Sequence, residues 1–168
     1  NHRNGVDNPY AQLRKDLGFA FCRVESERNP IVAGPLKRTD CAPVSDGAAA
    51  LVIADAETAL TLPRAVSFRA TAQAQDFLPM SGRDVLKFEG CGEAWRQALG
   101  DARLTLADLS FVETHDCFTI AELLEYEAMG LTPRGQGARA VLDGWTHRDG
   151  RLPVNPSGGR SEEHTSEL

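Results

Sequence analysis

The 168-residue chain contains no apolar run near the roughly 20 residues that a membrane-spanning helix needs. No secretory leader is expected. It begins at Asn1 rather than Met, so its start reads as internal to a longer protein. Its four cysteines, Cys22, Cys41, Cys91 and Cys117, form no C-x-x-C pair, which removes zinc ribbons and thioredoxin-type motifs. Widely spaced thiols without a secretion signal read as reduced cysteines in a cytoplasm, each by default a small buried side chain. Positive charge is scarce: 18 Lys and Arg stand against 24 Asp and Glu, for a net charge of −6. A nucleic-acid partner needs a basic field, so none is expected. A phosphorylated ligand is not excluded, because a few local cations or backbone N–H groups can hold one. No internal repeat or low-complexity tract occurs.

With 42% hydrophobic and 25% charged residues, the chain is long enough for one domain with a real core. A helix is expected from Pro9 to about Leu17, with Pro9 at its start and Gly18 at its end. Asp46 to Ala56, "DGAAALVIADA", leads into Leu51, Val52 and Ile53, a run suited to a strand buried on both faces. "ADAETAL" follows as a short helix. Arg64 to Gln75 reads as a strand. Phe88, Cys91, Trp95 and Leu99 share one helical face, and Gly100 is a natural stop. A short strand is expected around Leu109 to Glu113. Thr119-x-x-Glu122 has the form of a capping box. It would open a helix with Ile120, Leu123, Leu124, Ala128 and Leu131 as its buried stripe, ended by Gly130 and Pro133. "GQGARAVLDGWTHRDGRLPVNPSGG" is Gly-rich and reads as loop. The alternation of strands and helices suggests α/β layering.

The last nine residues, "RSEEHTSEL", differ in style from the rest. One choice of codons for them, AGATCGGAAGAGCACACGTCTGAACTC, is the start of a widely used sequencing adapter. Residues 160–168 are therefore expected to be a non-native tail, and His164 goes with them as a candidate ligand.

The stretch "VETHDCFTIAELLEYEAMGL" (Val112 to Leu131) carries the densest chemistry. His115, Asp116 and Cys117 are consecutive and lie just before a helix start. The free N–H groups and partial positive charge of that terminus would stabilise a thiolate at Cys117. The site also follows a strand end, where α/β folds place ligands. Cys117 is thus a candidate acid/base or nucleophile, and His115 a candidate donor to a developing oxyanion. The plainer alternative is a loop histidine beside a buried cysteine. No metal site is expected, because His147 and His2 have no ligand spacing to this tripeptide.

Three stretches in this order, "DCAPVSDGAAALVIAD" (Asp40 to Asp55), "VETHDCFTIAELLEYEAMGL" and "PVNPSGG" (Pro153 to Gly159), resemble the thiolases, specifically the sterol-carrier-protein-type acetyl-CoA acetyltransferases. The resemblance spans Asn1 to Gly159. It implies an α/β, thiolase-like fold, here incomplete, with a mixed sheet and helices packed on it. Residues 1–36 would end the loop region over coenzyme A. Residues 37–62 would hold the last strand and helix of the N-terminal half, and 63–159 a truncated C-terminal half.

In function, the resemblance implies Claisen condensation or thiolysis on acyl-CoA, in lipid metabolism. Coenzyme A thioester would be the substrate, with no permanently bound cofactor, and the parent protein a homodimer or homotetramer. Cys117 would shuttle the substrate's α proton, His115 would help form an oxyanion hole, and Phe118 would line the acyl pocket. Ala42 falls where the family often has a Ser that touches the pantetheine arm, so one hydrogen bond to coenzyme A is in doubt; Ser45 and Gly47 would shape the turn. The family's nucleophilic Cys and its Gly-His-Pro histidine have no counterpart in this sequence. The fragment alone is therefore expected to be inactive and poorly soluble. A non-catalytic thiolase-like protein binding acyl-CoA or lipid is the alternative.

Overall fold

The structure, a computed structural model, describes residues 1–42, 44, 46 and 48–159. Ser45, Gly47 and the tail 160–168 lie outside the described residues. The elements run α1 (His2–Gly5), α2 (Phe19–Arg23), β1 (Ile31–Ala33), β2 (Leu36–Lys37), α3 (Ala56–Leu60), α4 (Glu89–Ala102), α5 (Thr119–Ala128) and α6 (Gly137–Leu142), with short 3-10 turns between them. β1 and β2 pair antiparallel, and single bridges join Cys41 to Phe118 antiparallel and Val112 to Val154 parallel. The α/β character is present, with a small sheet and helices carrying most of the packing.

The core lies between α4, α5, α6 and the last twenty described residues. Val112, Tyr126, Met129, Leu131, Ala140, Leu152 and Val154 are buried together, and Trp95, Leu109, Leu123 and Trp145 pack against them. α5 ends in a Schellman motif. The Gly130 N–H donates to the Glu127 carbonyl at 3.1 Å and the Leu131 N–H to the Tyr126 carbonyl at 2.9 Å. Gly130 takes the positive φ of 83° that this closure needs. Leu131 thereby folds back beside Tyr126 in the core.

α4 begins one residue later than the pattern suggests and gains a cap from outside the helix. The Asp76 carboxylate accepts the Gly90 N–H at 2.6 Å and is held by Arg83 at 2.5 Å. A free helix N–H is satisfied by a residue fourteen positions upstream. The helix then passes through Gly100 and closes at Arg103, which takes the left-handed conformation. Gly100 is a helix-interior residue rather than a stop.

Other expectations are corrected. Pro9–Leu17 is not helical. The Tyr10 N–H bonds to the Asn8 side chain and the Gly18 N–H to that of Asp16, local turns that compete with a helix. The strands expected at Leu51–Ile53 and Arg64–Gln75 have no pairing partner among the described residues. Leu51, Val52, Ile53, Val66 and Phe68 are exposed. The Gly-rich segment after Pro133 is not all loop, since it contains α6.

Candidate active site

The segment Val112 to Cys117 is positioned from two sides. On one, the Val112 N–H donates to the Pro153 carbonyl and the Asn155 N–H to the Val112 carbonyl, both at 2.8 Å. The Thr114 N–H donates to Asn155 Oδ1 at 2.8 Å, and Glu113 accepts the Ser157 N–H and hydroxyl at 3.1 and 3.0 Å. The "VNPSGG" loop is therefore a fixed partner of this segment. On the other side, the Ala42 N–H donates to the Cys117 carbonyl at 2.9 Å, and Thr119 Oγ1 donates to Asp40 at 3.2 Å. All three stretches singled out in the sequence converge here.

The side chains divide. His115 and Phe118 are exposed, Ala42 and Cys117 are half-buried, and Asp116 is buried. A cavity of about 990 Å³ is lined by Asp116, Cys41, Ala42, Thr119 and Glu122, and by His2 and Cys22. His115, Cys117 and Phe118 are not among its lining residues. Ala42 stands at the junction of the cavity and Cys117. Cys117 sits immediately before Phe118, the extended N-cap residue of α5.

The capping box does not form. Phe118 makes no side-chain cap, Thr119 is turned to Asp40, and the Glu122 carboxylate is taken up by the Asn1 amide at 2.7 Å and the Tyr126 hydroxyl. The buried residues of α5 are Ala121, Glu122, Glu125 and Tyr126; of the expected stripe, Leu131 just beyond the helix is buried, Leu123, Leu124 and Ala128 are half-buried, and Ile120 is exposed.

That face carries what the sequence reading missed, a cluster of buried carboxylates beneath the segment. The Asn1 side chain donates to Asp116 at 2.6 Å as well as to Glu122. Glu125 accepts the Thr114 hydroxyl. The available signal was the i, i+3, i+4 spacing of Glu122, Glu125 and Tyr126, which puts the three side chains on one helix face.

Burial, then the charges of Glu122 and Asp116, push the Glu125 carboxyl up to about 7. Burial and the nearby Glu125 and Asp76 push the Cys91 thiol up to about 11, which keeps it protonated at neutral pH. Cys22 and Cys41 are also raised by burial. Among the described residues, no group of three or more His, Cys, Asp or Glu is arranged to hold a metal ion. Nor is any helix there long and apolar enough to cross a membrane.

The Glu125 shift fixes a pH dependence. Folded, Glu125 keeps its proton up to about 7; unfolded, it ionises near the ordinary 4.5. Between these values the folded chain binds more protons, so its stability falls as pH rises through that window. Glu125→Gln removes this contribution. Its urea midpoint should decline less between about pH 5 and 8 than that of the native chain, as intrinsic fluorescence would report.

Residues 72–167 match the family described as thiolase C-terminal domain-like. The chain is 40% identical over 162 residues to an acetyl-CoA acetyltransferase of Methanothermobacter thermautotrophicus, covering 95% of this chain and 41% of that protein. It is 35% identical over 167 residues to sterol carrier protein 2 of Bos taurus, covering 95% of this chain and 30% of that one. Among solved structures, the Ltp2-ChsH2(DUF35) aldolase superimposes with a TM-score of 0.86 at 24% identity, over 96% of this chain and 44% of the other, a likeness of fold. The chain spans at most about two fifths of the length of these curated relatives.

Proposed function

The chain belongs to the thiolase C-terminal domain-like family, with acetyl-CoA acetyltransferase and sterol carrier protein 2 among its relatives, and from that premise we propose that its whole protein catalyses Claisen condensation or thiolysis of 3-ketoacyl-CoA. The observation that supports this reading is the convergence of three distant stretches around Cys117, made by the Ala42–Cys117, Thr114–Asn155 and Glu113–Ser157 hydrogen bonds.

In this reading Cys117 takes and returns the proton α to the thioester, and the enolate left behind is met by His115. The exposed ring of Phe118 lies against the acyl chain. Ala42 offers the pantetheine arm an apolar contact and no hydroxyl. Glu113 and Asn155 hold the segment so that these groups keep their spacing. Acyl-CoA and coenzyme A are the substrates, and the cytoplasm is the setting.

The 168 residues alone carry no thiolysis activity, because the nucleophile and the Gly-His-Pro histidine that the family uses are not among them. Detectable thiolysis of acetoacetyl-CoA by the purified chain would overturn that part.

The role of Cys117 is tested in the whole protein. Cys117→Ala should lower kcat for thiolysis by about a hundredfold to ten-thousandfold, the range for a lost proton-transfer group. Cys91→Ala should leave kcat within about threefold, because its high pKa keeps it out of the chemistry. A Cys117→Ala enzyme with undiminished kcat would sink the assignment.

A further inference from the structure

Glu125 has no part in the reaction just described, yet it occupies a costly position. It is 7% exposed and lies against two other buried carboxyl-bearing residues, Asp116 and Glu122. The groups facing it are Asp116 on the loop, Glu122 and Tyr126 on α5, and Cys91 on α4; none of these is a cation. A buried carboxylate without a counter-charge is destabilising unless hydrogen bonds satisfy it. The bond it makes is to the hydroxyl of Thr114, the residue next to His115. Thr114 is held at its other end, where its N–H donates to Asn155 Oδ1 at 2.8 Å. Asn155 is fully buried, with a backbone φ of 49°. Thr114 is thus held between a buried loop residue and a titratable side chain.

We propose that Glu125 is a positioning residue for the His115–Cys117 segment: through Thr114 it fixes where that segment sits, and gain or loss of its proton shifts the segment. An ionised Glu125 can only accept, so it orients the Thr114 hydroxyl as a donor. A protonated Glu125 can donate to the same oxygen, which frees the hydroxyl hydrogen to turn elsewhere. The exchange changes the charge of the cluster by one unit directly beneath Asp116. The consequence for chemistry rests on the reading of Cys117 as the reactive thiol; the mechanical coupling does not.

Two readouts on the 168-residue chain separate these levels. The first is the pH titration of the Glu113 and Thr114 backbone amide resonances by 15N-edited NMR, in a His115→Gln background so that the imidazole does not contribute. Both should move with a common midpoint near that of Glu125, about 7. Glu125→Gln and Thr114→Val should abolish the movement, and Thr114→Ser, which restores the hydroxyl, should keep it. Persistence of the same midpoint in Glu125→Gln overturns the proposal. So does its loss in a well-dispersed Thr114→Ser spectrum.

The second readout is the iodoacetamide alkylation rate of Cys117, followed by peptide mass spectrometry. Native chain should show an inflection of about threefold to tenfold at the amide midpoint, on top of the thiol's own titration, and Glu125→Gln should lack it. If Cys117 reacts no faster than Cys91 at any pH, the reading of Cys117 as the reactive thiol fails, while the amide titration still decides the role of Glu125.

Discussion

Gly137→Ala should destabilise the chain by roughly 3 kcal/mol, the upper end of what overpacking costs. Gly137 opens α6 against the middle of α5. A Cβ there would collide with the carbonyl oxygen of Leu123, and would lie 2.9 Å from the Leu123 carbonyl carbon and 3.1 Å from Glu127 Oε1. The first two are backbone atoms inside a helix and cannot swing aside. The Gly137 N–H is also tied to Glu127 at 2.8 Å, so α6 cannot slide without breaking its own start. The remaining relief is to push α6 outward, which unseats the fully buried Ala140.

Gly100→Ala is the control. It replaces an exposed glycine inside α4 with nothing within 4 Å of the added carbon. It should stabilise by about 0.5–1 kcal/mol through helix propensity and a less flexible unfolded chain. Urea unfolding followed by Trp95 and Trp145 fluorescence reads both variants. Equal midpoints would show that α6 does not rest on α5 in solution.

The contrast between these glycines bears on what could be read in the sequence. Gly100 and Gly137 look alike there, the first with the pattern of a helix stop and the second with that of a Gly-rich loop. Only the packing of α6 on α5 separates them. Where signals are local they served. Asp55 caps α3 through the Thr58 N–H at 2.7 Å, α4 follows its apolar face, and Gly130 ends α5.

Where the outcome depends on distant residues, local patterns misled. Leu51–Ile53 has the composition of a doubly buried strand but no neighbour to pair with among the described residues. Thr119 and Glu122 have capping-box spacing, but Asp40 and Asn1 claim their side chains. The candidate site divides the same way. The three motif stretches were legible as residues, and their convergence emerges only in the fold, through the Ala42–Cys117, Thr114–Asn155 and Glu113–Ser157 hydrogen bonds. Of the carboxylate cluster, only the shared helix face of Glu122, Glu125 and Tyr126 was legible; the link that joins Asn1 to Asp116 and Glu122 across 115 and 121 positions was not. No window of sequence spans that.

Tyr126→Ala should cost about 3–5 kcal/mol, the range for deleting a buried aromatic side chain. Tyr126 is 1% exposed and among the largest fully buried side chains. It belongs to the buried cluster with Val112, Met129, Leu131 and Val154, and it is the residue whose carbonyl closes the α5 C-terminus. Two losses combine: the cavity left by the ring, and the hydroxyl that Glu122 accepts. Burial, reinforced by the adjacent Glu122 charge, holds the phenol well above its ordinary pKa. It therefore stays a donor through the neutral pH range.

Tyr126→Phe separates the two losses, keeping the packing and stripping one hydrogen bond from a buried carboxylate, for about 1–3 kcal/mol. The Phe variant should also loosen the N-terminal segment. Glu122 is one of the two carboxylates that hold Asn1, and a Glu122 freed from Tyr126 can turn toward solvent in the cavity. Faster hydrogen exchange at residues 1–8 in Tyr126→Phe, with the α5 and α6 amides unchanged, is the expected pattern. If the Phe variant is as stable as the native chain and its N-terminal amides exchange no faster, the Tyr126–Glu122 bond contributes nothing, and the stability of this region resides in the ring alone.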